Sequence, residues 1–210
     1  MKFNNKLYTM NKQLLQETDE WVKKYMDNYD CSHNYKHVIR VKNLALKIAD
    51  SEKLDEYSKF IIILGALTHD IADHKYNSEN TQEELLKEFF KDKLSNDELN
   101  EVIFIASNTS LSKENSNSLN GNINNIDYSN TKLRCVQDAD RLDSLGSIGI
   151  ARYFIYGVIN KKSDMECIVN NLEDRTDILL KYIKTNYAKE LANEKYKIIK
   201  MFIDDFRLQY

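Results

Sequence analysis

The sequence predicts an all-α fold, a single-domain helical bundle, and three observations carry that prediction. The 210-residue chain has no proline and only five glycines, too little punctuation for the many tight turns of a sandwich or barrel. With 42% hydrophobic and 30% charged residues, it has the balance of a globular chain long enough for one sizeable core. Apolar residues also recur at three- and four-residue steps along most of its length, the period of an amphipathic helix.

Leu14, Leu15, Trp21, Val22 and Tyr25 share one face and predict a first helix from Leu14 to Asp27. Val38, Val41, Leu44, Ala45, Ile48 and Ala49 form a second stripe. His37 lies on it, so its imidazole is expected to point inward. From Glu56 to Ile71 the chain is apolar on nearly every side, through Phe60, Ile61, Ile62, Ile63, Leu64, Ala66 and Leu67. Such a helix belongs in the middle of a bundle, and it ends in His69-Asp70. Two further helices are read from Glu83 to Lys91 and from Glu98 to Ser107. Between Asn108 and Asn130 the composition turns to asparagine and serine, a loop read as an insertion or lid. Periodicity resumes at Leu133 and runs through Val136, Ala139, Leu142 and Leu145, then on to Val158. Two last helices cover Ile168 to Ile183 and Ala188 to Phe206. No repeat or Pro/Ser-rich linker divides the chain, so one domain over 1–210 is expected, with a core at 20–160 and helices at 165–207 packed on it.

A net charge of −3, from 30 basic and 33 acidic residues, gives no footprint for nucleic acid or an anionic membrane. The longest apolar run, Phe60 to Leu64 continuing to Leu67, is too short to span a bilayer, and the N-terminus lacks a signal-peptide core. A cytoplasmic protein with neither membrane nor nucleic-acid partner is expected. Cys31, Cys135 and Cys167 are odd in number and never paired as CxxC, which points to reduced thiols.

All four histidines fall between His33 and His74. His37 projects from an apolar stripe, His69 and Asp70 close a buried helix, and a later helix carries Asp138, Asp140 and Asp143 in DADRLD. Burying so many titratable groups without a partner costs several kcal/mol each, which a bound divalent cation offsets. Mixed N/O ligation suits Mn²⁺, Fe²⁺, Co²⁺, Ni²⁺ or Zn²⁺ better than a thiol-loving ion. Asp73, three residues after Asp70, is placed to accept or orient a proton of water; a solvated carboxylate at a helix end explains it equally well. Lys75, Arg40, Arg141 and Arg152 are candidates to neutralise phosphate. Asn108 and Ser110 open the asparagine-rich loop, where helix termination accounts for them as readily as ligand binding. Tyr153 and Tyr156 have the chemistry to stack on a base, but thirteen tyrosines are present, and packing is the simpler reading.

Three blocks in order, SHNYKHVIRVKNLALKIA, LGALTHDIADHKYN and VQDADRLDSLGSIGIAR, resemble the HD-domain metal-dependent phosphohydrolases, and within them the small single-domain members similar to nucleotide pyrophosphohydrolases. The resemblance covers most of the chain. It implies the metal ligands His37, His69, Asp70 and Asp140, with Asp138 the rival for the last place. His33 and Asn34 occupy the family's opening H-D, with asparagine where aspartate is usual. His33 is therefore expected on the substrate side, and Asn34, like Asp138 and Asp143, in a supporting role. Two-metal members of the superfamily use later histidines that this chain lacks, which favours one divalent ion, Mn²⁺, Co²⁺, Mg²⁺, Ni²⁺, Fe²⁺ or Zn²⁺. The implied substrate is a nucleotide, a triphosphate cleaved to monophosphate and pyrophosphate. The alternatives are a nucleoside 5′-monophosphate phosphatase and a nucleotide-sensing module without turnover. The expected assembly is a monomer or a homodimer.

Overall fold

The computed structural model describes residues 2–26, 34–72, 80–112, 114 and 129–210, with side chains from Lys12 onward. Among these residues the fold is all-α, without a strand. In order, the elements are α1 (Lys2–Tyr25), α2 (Tyr35–Ser51), α3 (Glu56–Thr68), α4 (Gln82–Phe90), α5 (Asn96–Asn108), α6 (Thr131–Asp143), α7 (Gly146–Tyr156), a π-helical turn (Gly157–Lys161), α8 (Met165–Tyr182) and α9 (Asn186–Gln209). None of the described helices is long and apolar enough to cross a membrane.

Polar residues at the helix starts define the boundaries. Asn34, Asp55, Asn130 and Asp164 accept backbone N–H bonds in the first turns of α2, α3, α6 and α8. Thr81–Glu84 and Ser95–Glu98 form reciprocal capping boxes on α4 and α5, which satisfy N–H groups that have no partner inside the helix.

Helix α3 is central, packed against α1, α2, α5 and α6. Its nearly uniform apolar surface is therefore covered, with Phe60, Ile61, Ile62, Leu64, Ala66 and Leu67 all buried. Helix α2 lies against both α3 and α6, and its stripe of Val41, Ala45, Ile48 and Ala49 points into that interface with His37.

The boundaries differ from those expected in three places. Helix α1 begins at Lys2 rather than Leu14; the apolar period in fact continues upstream through Met10, Leu7 and Phe3, thinly spread among polar residues. The buried helix ends at Thr68, three residues before the expected Ile71; the Ile71 N–H closes a turn onto the Thr68 carbonyl at 3.2 Å, and Ala72 adopts φ 55°. His69 and Asp70 consequently sit on a tight turn. The long run from Leu133 to Val158 is broken between α6 and α7, where Gly146 adopts φ +70°, a conformation costly for any residue with a Cβ. Most of the 108–130 loop, and with it the expectation of an insertion or lid, lies outside the described residues.

Candidate metal centre

Three elements converge on one point. His37 comes from the first turn of α2, His69 and Asp70 from the turn after α3, and Asp140 from the last turn of α6. The Nε2 atoms of His37 and His69 face each other at 3.3 Å. Asp70 reaches both, with Oδ2 3.2 Å from His37 Nε2 and Oδ1 3.4 Å from His69 Nε2. One ligand atom from each of His37, His69 and Asp70 lies within 4.8 Å of the others. Asp140 Oδ1 lies 3.5 Å from His37 Nε2 and 3.9 Å from His69 Nε2.

The far edges of both imidazoles are already committed. His69 Nδ1 donates to the Ala66 carbonyl at 2.8 Å, and a carbonyl only accepts. His37 Nδ1 donates to Asp143 Oδ2 at 2.7 Å. In the neutral rings both protons are thus on Nδ1, and two Nε2 lone pairs point at one another beside two carboxylates. That arrangement is repulsive by itself and becomes favourable around a cation. Two donor atoms each about 2.1 Å from one ion lie roughly 3.0–3.4 Å apart, so the 3.3 Å separation fits a shared divalent ion.

The electrostatics agree. Burial and the charge of Arg152 push the His37 pKa down, but hydrogen bonds to Asp143 and Asp70 outweigh them and raise it. The surrounding carboxylates therefore favour positive charge at this point, which a divalent cation supplies more strongly than a proton.

Asp143 forms the support behind His37. Only 3% exposed, it also accepts from Arg40 Nε at 2.6 Å, Arg40 Nη2 at 2.9 Å and Arg152 Nη1 at 2.9 Å. Burial pushes its pKa up, but the His37 and Arg40 hydrogen bonds prevail and hold it well below the usual carboxylate range. A buried carboxylate behind a metal-facing histidine fixes the tautomer and increases the ring's basicity. On the His69 side, Gln82 Nε2 donates to the Thr68 and His69 carbonyls at 3.0 and 2.8 Å, and Ser107 Oγ donates to Gln82 Oε1 at 3.2 Å. Gln82 thereby ties the His69-Asp70 turn to α4 and α5. Its spacing to His69 gives no sign of this in the sequence.

Two expectations need correction. Asp138 does not compete for the cluster: fully buried, it accepts from Lys184 N, Thr185 N and Thr185 Oγ1, at 2.9, 2.7 and 2.8 Å for the closest contacts, at the junction of α8 and α9. Residues two apart on a helix are separated by about 200°, so Asp138 and Asp140 face opposite sides of α6. Arg141 is likewise turned from the cluster. It is 1% exposed, pairs with Glu114 and donates to the Tyr182 carbonyl at 3.1 Å. Arg40 and Arg152, read as phosphate binders, both hold Asp143. Asn34 caps α2 by accepting from Lys36 N. Asn108 donates from its amide to the Phe104 carbonyl, and its own carbonyl accepts from Gln137 on α6. His33, Asp73 and Lys75 lie outside the described residues.

The HD domain matches residues 34–145, which contain every residue of the cluster. The chain belongs to the HD-domain family. This HD-domain protein is 28% identical to the uncharacterized protein YpgQ of Bacillus subtilis (strain 168) over 196 residues, 87% of each chain. An HD-superfamily hydrolase of Bacillus thuringiensis superposes with a TM-score of 0.70 at 26% identity, covering 95% of this chain and 97% of that one. The structure of YpgQ in complex with ADP superposes with a TM-score of 0.72 at 24% identity, over 93% and 97% of the two chains.

Proposed function

We propose that this HD-domain protein is a phosphohydrolase that uses one divalent metal to cleave a nucleoside triphosphate to the monophosphate and pyrophosphate. The observation that carries the reading is the 3.3 Å separation of the His37 and His69 Nε2 atoms, each ring's Nδ1 being bonded elsewhere, with Asp70 and Asp140 flanking them. His37, His69, Asp70 and Asp140 would hold the ion. When bound, such an ion lowers the pKa of a coordinated water from roughly 15.7 toward about 7 and draws charge from phosphoryl oxygens.

The chain's own residues supply the rest. Asp143 holds the His37 ring so that its lone pair stays directed at the centre. Arg40, one third exposed while anchored to Asp143, presents positive charge at the rim, where phosphate oxygens gain from a guanidinium. Asp73, one residue beyond the described turn, is assigned the role of accepting the proton of the attacking water, and Lys75 and His33 that of holding phosphate. YpgQ, which shares the fold, binds ADP, and this supports a nucleotide as the ligand class.

The feature that favours the sensor alternative is Asn34, which stands where the resembling family usually has aspartate. Asparagine and aspartate cap helices about equally well, and Asn34 caps α2, so the replacement is absorbed structurally and turnover is the stronger reading. The test is a panel of nucleoside mono- and triphosphates with Mn²⁺, Co²⁺ or Mg²⁺, assayed separately for pyrophosphate and orthophosphate. Pyrophosphate release that is abolished by chelator and by His69→Ala is expected. Orthophosphate from monophosphates would select the phosphatase, and no release from any substrate would overturn the proposal.

A further inference from the structure

A second concave site lies beyond the support of His37. A cleft of about 680 Å³ opens between α7, the π-helical turn and α8, walled by Arg152, Tyr153, Tyr156, Lys161, Asn171 and Arg175. Its volume is in the range of small-molecule sites, roughly 300–1,000 Å³. None of His37, His69, Asp70 or Asp140 lines it, and among the described residues no aspartate or glutamate does.

Two cations, Arg175 and Lys161, beside a third already paired and with no lining acid among the described residues, make this cleft attractive to anions. Arg152 is matched by Asp143. Arg175 interacts with the Tyr153 hydroxyl, and neither it nor Lys161 pairs with a described carboxylate. Two tyrosines add aromatic surface, and Asn171 adds an amide beside it. The wall is also built with irregular backbone. The π-helical turn carries Lys161 at its end, Lys162 follows in the left-handed conformation at φ 50°, and Gly157 sits so close to α8 that a Cβ would lie 2.5 Å from Ile168 Cγ1. Single π-helical turns recur at functional sites.

We infer that this cleft binds a nucleoside phosphate, its phosphates against Arg175 and Lys161 and its base against Tyr153 or Tyr156. The ligand class follows the reading above; the site stands on its own residues. Arg152 connects the two centres, since its Nη1 bonds the same Asp143 oxygen that receives the His37 Nδ1 proton. A phosphate drawn to Arg152 therefore acts on the support of a cluster that it does not touch.

The test titrates full-length protein, in chelator, with a fluorescent nucleoside diphosphate. Saturable binding is expected, changed by no more than about twofold in His69→Ala and weakened about tenfold or more in Arg175→Glu and in Lys161→Glu, the effect of losing a charge-assisted contact. Lys161 is exposed, so Lys161→Glu keeps the fold, which a melting curve verifies. Pyrophosphate should displace the probe. Wild-type binding in both charge-reversal variants overturns the inference, as does the loss of all binding in chelator, which puts the ligand on the metal cluster alone. With metal restored, KM in Lys161→Glu should stay within about twofold of wild type, because a nucleotide held here does not reach the metal cluster; a KM raised about tenfold at constant kcat would make the cleft part of the substrate site and overturn the inference of a second one. A protein that binds in chelator but hydrolyses nothing would refute the phosphohydrolase reading and leave this one standing.

Discussion

Asp143→Asn isolates the contribution of the buried carboxylate behind His37. The substitution keeps the shape and removes the charge that balances Arg40 and Arg152. Asp143 takes four hydrogen bonds at 2.6–2.9 Å, all from groups that are cationic or made more basic by it. An asparagine amide must turn an NH₂ toward one of these donors. Removing one partner from a buried ion pair costs about 3–5 kcal/mol. Arg40 is one third exposed and free to turn to water, so the low end, about 3 kcal/mol, is expected here. For a chain of this size that is a fall in melting temperature of about 6–12 °C. Metal affinity should fall about 10–100-fold, because the ring is no longer held or polarised. Thermal unfolding by circular dichroism, with and without Mn²⁺, and metal binding by calorimetry measure the two effects. A melting temperature within about 2 °C of wild type together with unaltered metal affinity would refute the supporting role.

Two more expectations address packing and ionisation. At Gly65 a Cβ would come within 2.6 Å of Ile105 Cγ2, so Gly65→Ala should cost about 1–3 kcal/mol by overpacking; combined with Ile105→Ala, which removes the clash, it should cost less than the sum of the two single changes, as a double-mutant cycle in urea would reveal. Cys135 is completely buried, and desolvation, helped by Asp138, pushes its thiol pKa up to about 12. A raised pKa gives stability that is complete below the unfolded thiol's value, roughly 8.5, and lost as pH rises toward 12. In native protein at pH 8, a thiol reagent should modify the exposed Cys167 and spare Cys135 until denaturant is added, as peptide mass mapping would detect.

The parts of the site that were legible in the sequence are those whose chemistry is unusual for their surroundings. A histidine on the apolar stripe of α2 and a His-Asp pair ending an apolar helix are conspicuous, and the structure brings His37, His69 and Asp70 together with Asp140. The helix order was legible because periodicity survives burial. The facing of α6 was not. That helix is buried nearly all round, with Gln137, Asp138, Arg141 and Asp143 all enclosed, so no polar face marks which aspartate turns where. Arg141 looked like a phosphate binder because its partner Glu114 lies 27 residues earlier in the chain. Gln82 carries no local signal at all, since its role exists only once α4 has folded against the turn after α3. Tyr153 packs on the core, as its sequence reading has it, and it lines the cleft together with Tyr156 only because the π-helical turn and α8 fold around them.

The opposed faces of α6 bear on any attempt to miniaturise the protein. A fragment ending at Ile183 would take away the Lys184 and Thr185 donors that hold the Asp138 carboxylate and uncover the side of α6 on which it lies. Two residues on, along the same rod, stands Asp140. Trimming the tail would therefore disturb the helix that carries Asp140, and the smallest folded unit must carry the start of α9 with it.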